Sequence, residues 1–109
     1  MEDLTSRRCK PCEGGVEPLK SPEVANLLKE LKGWNVENGA IAKVYSFKNH
    51  YQVLAFVNAL AWISHREDHH PDLAVGYNTC RVAYVTHAIK GLSENDFICA
   101  AKVDALFEL

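Results

Sequence analysis

The sequence predicts an α+β fold in the order α-β-β-α-β-β-α, with a four-stranded antiparallel sheet and three helices packed on one face. Three observations lead there. Apolar residues recur at helical spacing in three separate stretches, the first and last with a start signal. Between them lie two pairs of strand-forming runs joined by turns so short that antiparallel pairing is the natural outcome. The chain has 109 residues, which suits one domain with one core, and three amphipathic helices all need a sheet face to cover.

Residues 1 to 20 read as a leader loop, polar and punctuated by Pro11, Gly14-Gly15 and Pro18, and residues 21 to 109 read as the single domain. The first helix opens at Ser21-Pro22 and closes at Gly33, with Val24, Leu27, Leu28 and Leu31 along one face. In the hairpin that follows, Trp34 and Val36 alternate and Asn38-Gly39 is the favoured two-residue turn. Ile41, Tyr45 and Phe47 continue one face, which Lys43 interrupts, so one end of that face is expected to be wet. The longest helix is expected from about Asn49 to Glu67, on a stripe of Val53, Phe56, Val57, Leu60 and Ser64 widened by Leu54, Ala61 and Ile63. Pro71 disfavours helical geometry at His70 and so ends it. Leu73, Val75 and Tyr77 alternate, Asn78-Thr79 turns, and Cys80 to His87 is rich in strand formers. The last helix starts at Ser93-Glu94-Asn95-Asp96, a capping-box pattern, and Phe97, Ile98, Ala101 and Ala105 give it an apolar side. The second sheet face and the sheet edges are left for another subunit.

Composition narrows the function classes. Net charge is −2 with histidines neutral, which argues against a nucleic-acid binder working through a basic field. No apolar run approaches the ~20 residues that cross a bilayer. The stretch from Met1 to Lys10 has no secretory apolar region. Cys9, Cys12, Cys80 and Cys99 are therefore expected as reduced thiols, in the cytoplasm. Neither a phosphate-cradling glycine loop nor a G-x-S-x-G elbow is present.

Histidine is the side chain that can both give and take protons near neutrality. His69-His70-Pro71 lies just past a helix end, and His87 at the end of a strand, so the three imidazoles can converge on one cleft. A lone histidine is more often a surface or structural residue, and His50 and His65 read that way. Asp96 has a structural role ready, since at the third helical position its carboxylate reaches back to the cap. The same carboxylate can orient a nearby imidazole. Cys9-x-x-Cys12 has zinc-like spacing, but a structural zinc takes four ligands and only one such pair exists; completing the set with His69 and His70 is possible and not required.

With these residues in view, the chain resembles the pterin-4a-carbinolamine dehydratase family over about residues 33 to 107. The resemblance rests on His65-Arg66-Glu67-Asp68-His69-His70-Pro71, on Tyr77 and His87, and on Gly91-Leu92-Ser93-Glu94-Asn95-Asp96. It extends to Tyr45-Ser46-Phe47-Lys48, and the Cys9-to-Gly15 leader is similar to that of bacterial-type members. It implies that His69, His70, His87 and Asp96 are catalytic. It implies a substrate pocket lined by Asp68, His69 and His70 and by Val85-Thr86-His87-Ala88. The implied activity is dehydration of 4a-hydroxytetrahydrobiopterin to the quinonoid dihydropterin, in recycling tetrahydrobiopterin for aromatic amino-acid hydroxylases. No metal and no cofactor are implied, and the implied assembly is a homodimer or homotetramer. Animal members also act as dimerisation cofactors of a homeodomain transcription factor, so a protein-binding module is the competing expectation. Two positions depart from the family pattern: His65 stands where an acidic residue is common, and Leu73 where tryptophan is common. Neither departure removes a proton-transfer group.

Overall fold

The computed structural model describes residues 3–11 and 16–108, so Cys12, Gly14 and Gly15 lie outside the described residues. The predicted element order is found: α1 (Ser21–Leu28), β1 (Asn35–Glu37), β2 (Ala40–Ser46), α2 (His50–Glu67), β3 (Asp72–Val75), β4 (Thr79–Tyr84) and α3 (Glu94–Phe107). Short 3-10 turns occupy Leu4–Ser6 and His87–Ile89. The strands form one antiparallel sheet in the order β1-β2-β4-β3, with Tyr45 opposite Cys80 and Leu73 opposite Val82. Asn38 and Gly39 both take left-handed φ angles, 50° and 81°, the geometry of a type I′ hairpin turn whose twist matches that of its strands.

The core fills the layer between sheet and helices. Ile41, Tyr45, Cys80, Val82 and Tyr84 supply the sheet side. Val53, Phe56 and Leu60 of α2 and Phe97, Ile98 and Val103 of α3 meet them. Leu4, from the expected leader loop, is also buried in this cluster, so the leader is partly built into the fold.

Four details differ from the sequence expectations. Lys20, not Ser21, caps α1, because its N–H donates to the Glu23 carboxylate at 2.9 Å. The helix stops at Leu28, well before Gly33, as tighter turns closed by Leu27 and Leu28 carbonyls follow. Gly33 instead sits at φ 82° with the Lys43 stem 3.2 Å from where a Cβ would stand. Leu54 and Ala61 are exposed on the outer side of α2, since the sheet and α3 cover only the Val53, Phe56 and Leu60 side. The second hairpin turns through residues 76–78, because Thr79 already pairs with Ser46 in the ladder.

Lys43 resolves the interruption in β2. Its Nζ donates to the Lys32 carbonyl and to Asp104 of α3, each at 2.9 Å. Asp104 also accepts from the Trp34 indole at 3.0 Å and from the Tyr45 hydroxyl. Burial, followed by the Asp104 contact, pushes the Tyr45 hydroxyl well above its usual range, so it stays a donor. One carboxylate thus ties β2, the segment before β1 and α3 together. Asp104→Ala strands the indole N–H and the phenol and leaves the ammonium only the Lys32 carbonyl, and should lower stability by about 2 kcal/mol, measured by urea unfolding.

Candidate active site

The end of α2 delivers the first two imidazoles. Asp68 takes a left-handed φ of 50° and closes the helix, and the N–H groups of Asp68 and His69 both donate to the Ser64 carbonyl. This turn throws His69 and His70 off the helix axis, ahead of Pro71. The third imidazole arrives differently from the expectation. β4 ends at Tyr84, and His87 opens the 3-10 turn rather than ending a strand. The reason is a tight loop in which Thr86 and Gly91 exchange backbone hydrogen bonds at 3.0 and 3.4 Å, folding the chain back before α3.

These two loops enclose a cavity of about 440 Å³. Asp68, His69, His70, Val85, Thr86, His87 and Ala88 all line it. The rings of His70 and His87 lie 6.5 Å apart, tilted by 30°. Asp96 does not line the cavity; it stands behind His69 with no exposed surface. Its Oδ1 lies 2.6 Å from His69 Nε2. Its Oδ2 accepts from the Thr86 hydroxyl at 2.9 Å and from the Ser93 N–H at 3.0 Å. A carboxylate only accepts, so His69 Nε2 is the donor, and Nδ1 is the ring nitrogen left for a ligand. Capping and imidazole contact are therefore both present at Asp96. His50 contacts the carbonyls of Gly76 and Tyr77 at 3.3 Å, and the exposed His65 lies beside the Trp62 ring; neither lines the cavity.

Sequence reasoning missed the rest of the wall. Cys9, Lys10 and Pro11 from the leader line the cavity with Arg66, Glu67 and Asn95. The leader is strapped down by side chains flanking the two loops. Asn95 accepts from the Lys10 N–H at 3.0 Å and donates to the Lys10 carbonyl at 2.5 Å. The buried Glu67 accepts from the Cys9 N–H at 2.8 Å and pairs with Arg8 at 2.9 Å. Tyr84, also unforeseen, lies parallel to the His69 ring at 5.7 Å and 11°. A polar residue in the last turn of a helix beside a candidate site was the available signal for Glu67. Nothing in a strand pattern marks Tyr84 as different from core.

The Cys9 thiol meets Cys99, at 3.5 Å between sulfurs, and not an imidazole. That contact together with burial pushes the Cys99 thiol far up, so it stays protonated. Among the described residues, no group of three or more histidine, cysteine, aspartate or glutamate side chains is arranged to hold a metal ion. Among those residues, too, no helix is long and apolar enough to cross a membrane.

Comparison with known proteins adds a further line. A model of the family described as Pterin 4 alpha carbinolamine dehydratase matches residues 17–106. A protein of Nitrosomonas europaea is 66% identical over 107 residues, covering 97% of this chain and 95% of its own. One of Nitrosospira multiformis is 62% identical over 109 residues, covering 100% of this chain and 96% of its own. Both are named provisionally as pterin-4-alpha-carbinolamine dehydratases. A crystal structure from Brucella melitensis, described as a transcriptional coactivator/pterin dehydratase, superposes with a TM-score of 0.79 at 29% identity. It covers 83% of this chain and 98% of its own.

Glu67 gives the strap a pH dependence. Burial raises its carboxyl, but the Cys9 N–H, Lys102 and Arg8 outweigh this and hold it below the ordinary value. A carboxyl depressed in the folded state stabilises above its unfolded value, and that stabilisation is lost as pH falls through the folded one. Amide exchange at Cys9, corrected for its intrinsic rate, should therefore lose protection below the ordinary glutamate range. In Glu67→Gln, the protection should already be weaker at neutral pH.

Proposed function

The chain belongs to the pterin 4 alpha carbinolamine dehydratase family, and from that premise we propose that it dehydrates 4a-hydroxytetrahydropterins by histidine acid–base catalysis. The substrate carries a hydroxyl on C4a and a proton on N5. Loss of both gives the quinonoid dihydropterin and one water. Hydroxide leaves poorly unless protonated, so the reaction needs an acid at the C4a oxygen and a base at N5. Each such contact contributes roughly 10²- to 10⁴-fold.

The observation that carries this reading is that His69, which lines one cavity with His70 and His87, is paired with the fully buried Asp96 carboxylate behind it. With Nε2–H held by Asp96, the neutral His69 ring presents a lone pair at Nδ1 and serves as the base. The carboxylate then stabilises the imidazolium that forms, as in other Asp–His pairs. His87 supplies the proton to the departing hydroxyl, and His70, its ring 6.5 Å from that of His87, binds and orients the pterin. Asp68, Val85, Thr86 and Ala88 shape the pocket around the ring system. The physiological role that follows is regeneration of a tetrahydropterin used by an aromatic amino-acid hydroxylase, by a homo-oligomer working in the cytoplasm.

A second reading, a protein-binding module, draws on a separate observation. Tyr51, Leu54 and Trp62 stand 82%, 43% and 62% exposed along α2, and none of them lines the cavity. Partner capture that survives loss of the imidazoles would support it.

Stopped-flow decay of the carbinolamine tests the dehydratase reading. His69→Ala and His87→Ala should each lower kcat at least about tenfold, with circular dichroism and oligomeric mass unchanged. Wild-type kcat in both variants would remove the proposal.

A further inference from the structure

We propose that Tyr84 is a positioning residue for His69, and that it acts through its ring and not through its hydroxyl. This rests on the reading of His69 as a proton-transfer group. His69 lies outside regular structure, one residue past the left-handed Asp68. Its backbone N–H is tied to Ser64, but that bond does not fix the imidazole. The Asp96 contact at 2.6 Å holds one ring atom. A planar ring held at one atom can still pivot about that contact, carrying Nδ1 away from a substrate. A flat partner against its face removes the pivot.

Tyr84 is that partner. Its ring lies within 11° of parallel to the imidazole, with centroids 5.7 Å apart, inside the range of offset aromatic pairs. It is itself immobile. It ends β4 opposite Ile41, has no exposed surface, and touches the Trp34 ring at 6.2 Å on the core side. An aromatic face also favours a cation above it, so the contact suits the imidazolium formed during turnover.

The hydroxyl has a different standing. It is buried and has no hydrogen-bond partner among the described residues. Burial comes first among the causes that push it far above its usual range, followed by Cys99, Cys9 and Asp96, so it cannot serve as a phenolate. Tyr84 is also not among the residues lining the cavity. A buried, unpartnered hydroxyl normally weakens a fold. Removing it while keeping the ring should preserve the site and raise the melting temperature.

The experiment compares Tyr84→Phe, Tyr84→Leu and Tyr84→Met in two readouts. The first is the carbinolamine assay with kcat and KM resolved separately. The second is the low-field proton resonance of the imidazole N–H shared with Asp96, in ¹⁵N-histidine-labelled protein. The aliphatic variants should lower kcat about tenfold with KM within about twofold, because a misaimed group costs the chemical step rather than binding. They should also broaden or lose the shared-proton resonance. The conservative Tyr84→Phe should rescue both readouts and melt higher than the wild type. Wild-type kcat and an intact resonance in either aliphatic variant overturn the proposal. So does a tenfold fall in kcat in Tyr84→Phe, which would assign the role to the hydroxyl. If the wild type shows no dehydratase activity, the functional reading fails. The resonance still decides whether Tyr84 holds the imidazole.

Discussion

One buried carboxylate organises the end of the molecule that carries the histidine-lined cavity. Asp96 has no exposed surface and collects donors from three places that the chain brings together only in the folded state. These are the Ser93 N–H at the start of α3, the Thr86 hydroxyl after β4, and the His69 imidazole after α2. An ionised carboxylate out of water is costly unless its lone pairs are filled. The fold fills them with groups from the start of α3 and from the two loops that follow α2 and β4. Displacing any one loop leaves the charge under-compensated, so the loops are coupled to one another through this single group. The same coupling ties the positions of the two loops to that of α3.

The strap shows the same logic one layer out. Asn95, next to Asp96 on α3, holds both backbone polar groups of Lys10, and Glu67, next to the Asp68 turn, holds the Cys9 N–H. Residues adjacent in sequence to the loop-forming ones thus fix the leader. Leu4 anchors its far end in the core, and Gly91 lies so close to Pro18 that a Cβ would approach to 2.6 Å. A segment with no regular periodicity becomes a wall of the cavity because its backbone bonds are satisfied by side chains of the domain.

Element order was legible because its signals are local. The Asn38-Gly39 turn, the α2 stripe and the Ser93–Asp96 box each work within a few residues, and each is found. What failed to show in the sequence depends on distant partners. α1 stops early, and the chain after it turns back to where Lys43 of β2 lies against Gly33 and donates to the Lys32 carbonyl. His87 leaves the strand because Thr86 pairs with Gly91, a closure that no propensity in Cys80–His87 encodes. The expected pocket residues were legible through resemblance, whereas Tyr84 was not, because an aromatic at an inward strand position reads as core. It is core, and it also meets His69.

The two roles open to Asp96 from its sequence position turn out to occupy different atoms. Oδ2 serves the helix start and Thr86, while Oδ1 serves His69. The carboxylate has two equivalent acceptor oxygens, so neither task competes with the other. An amide in its place has one acceptor oxygen and a donating nitrogen. Its oxygen could face the Ser93 N–H or the His69 N–H, but not both, and its nitrogen would confront whichever donor was left. The capping box therefore does more than start a helix. By fixing the side chain at its third position, it aims the second oxygen at the α2 exit, so the start of α3 sets which nitrogen of His69 is engaged and which is left free.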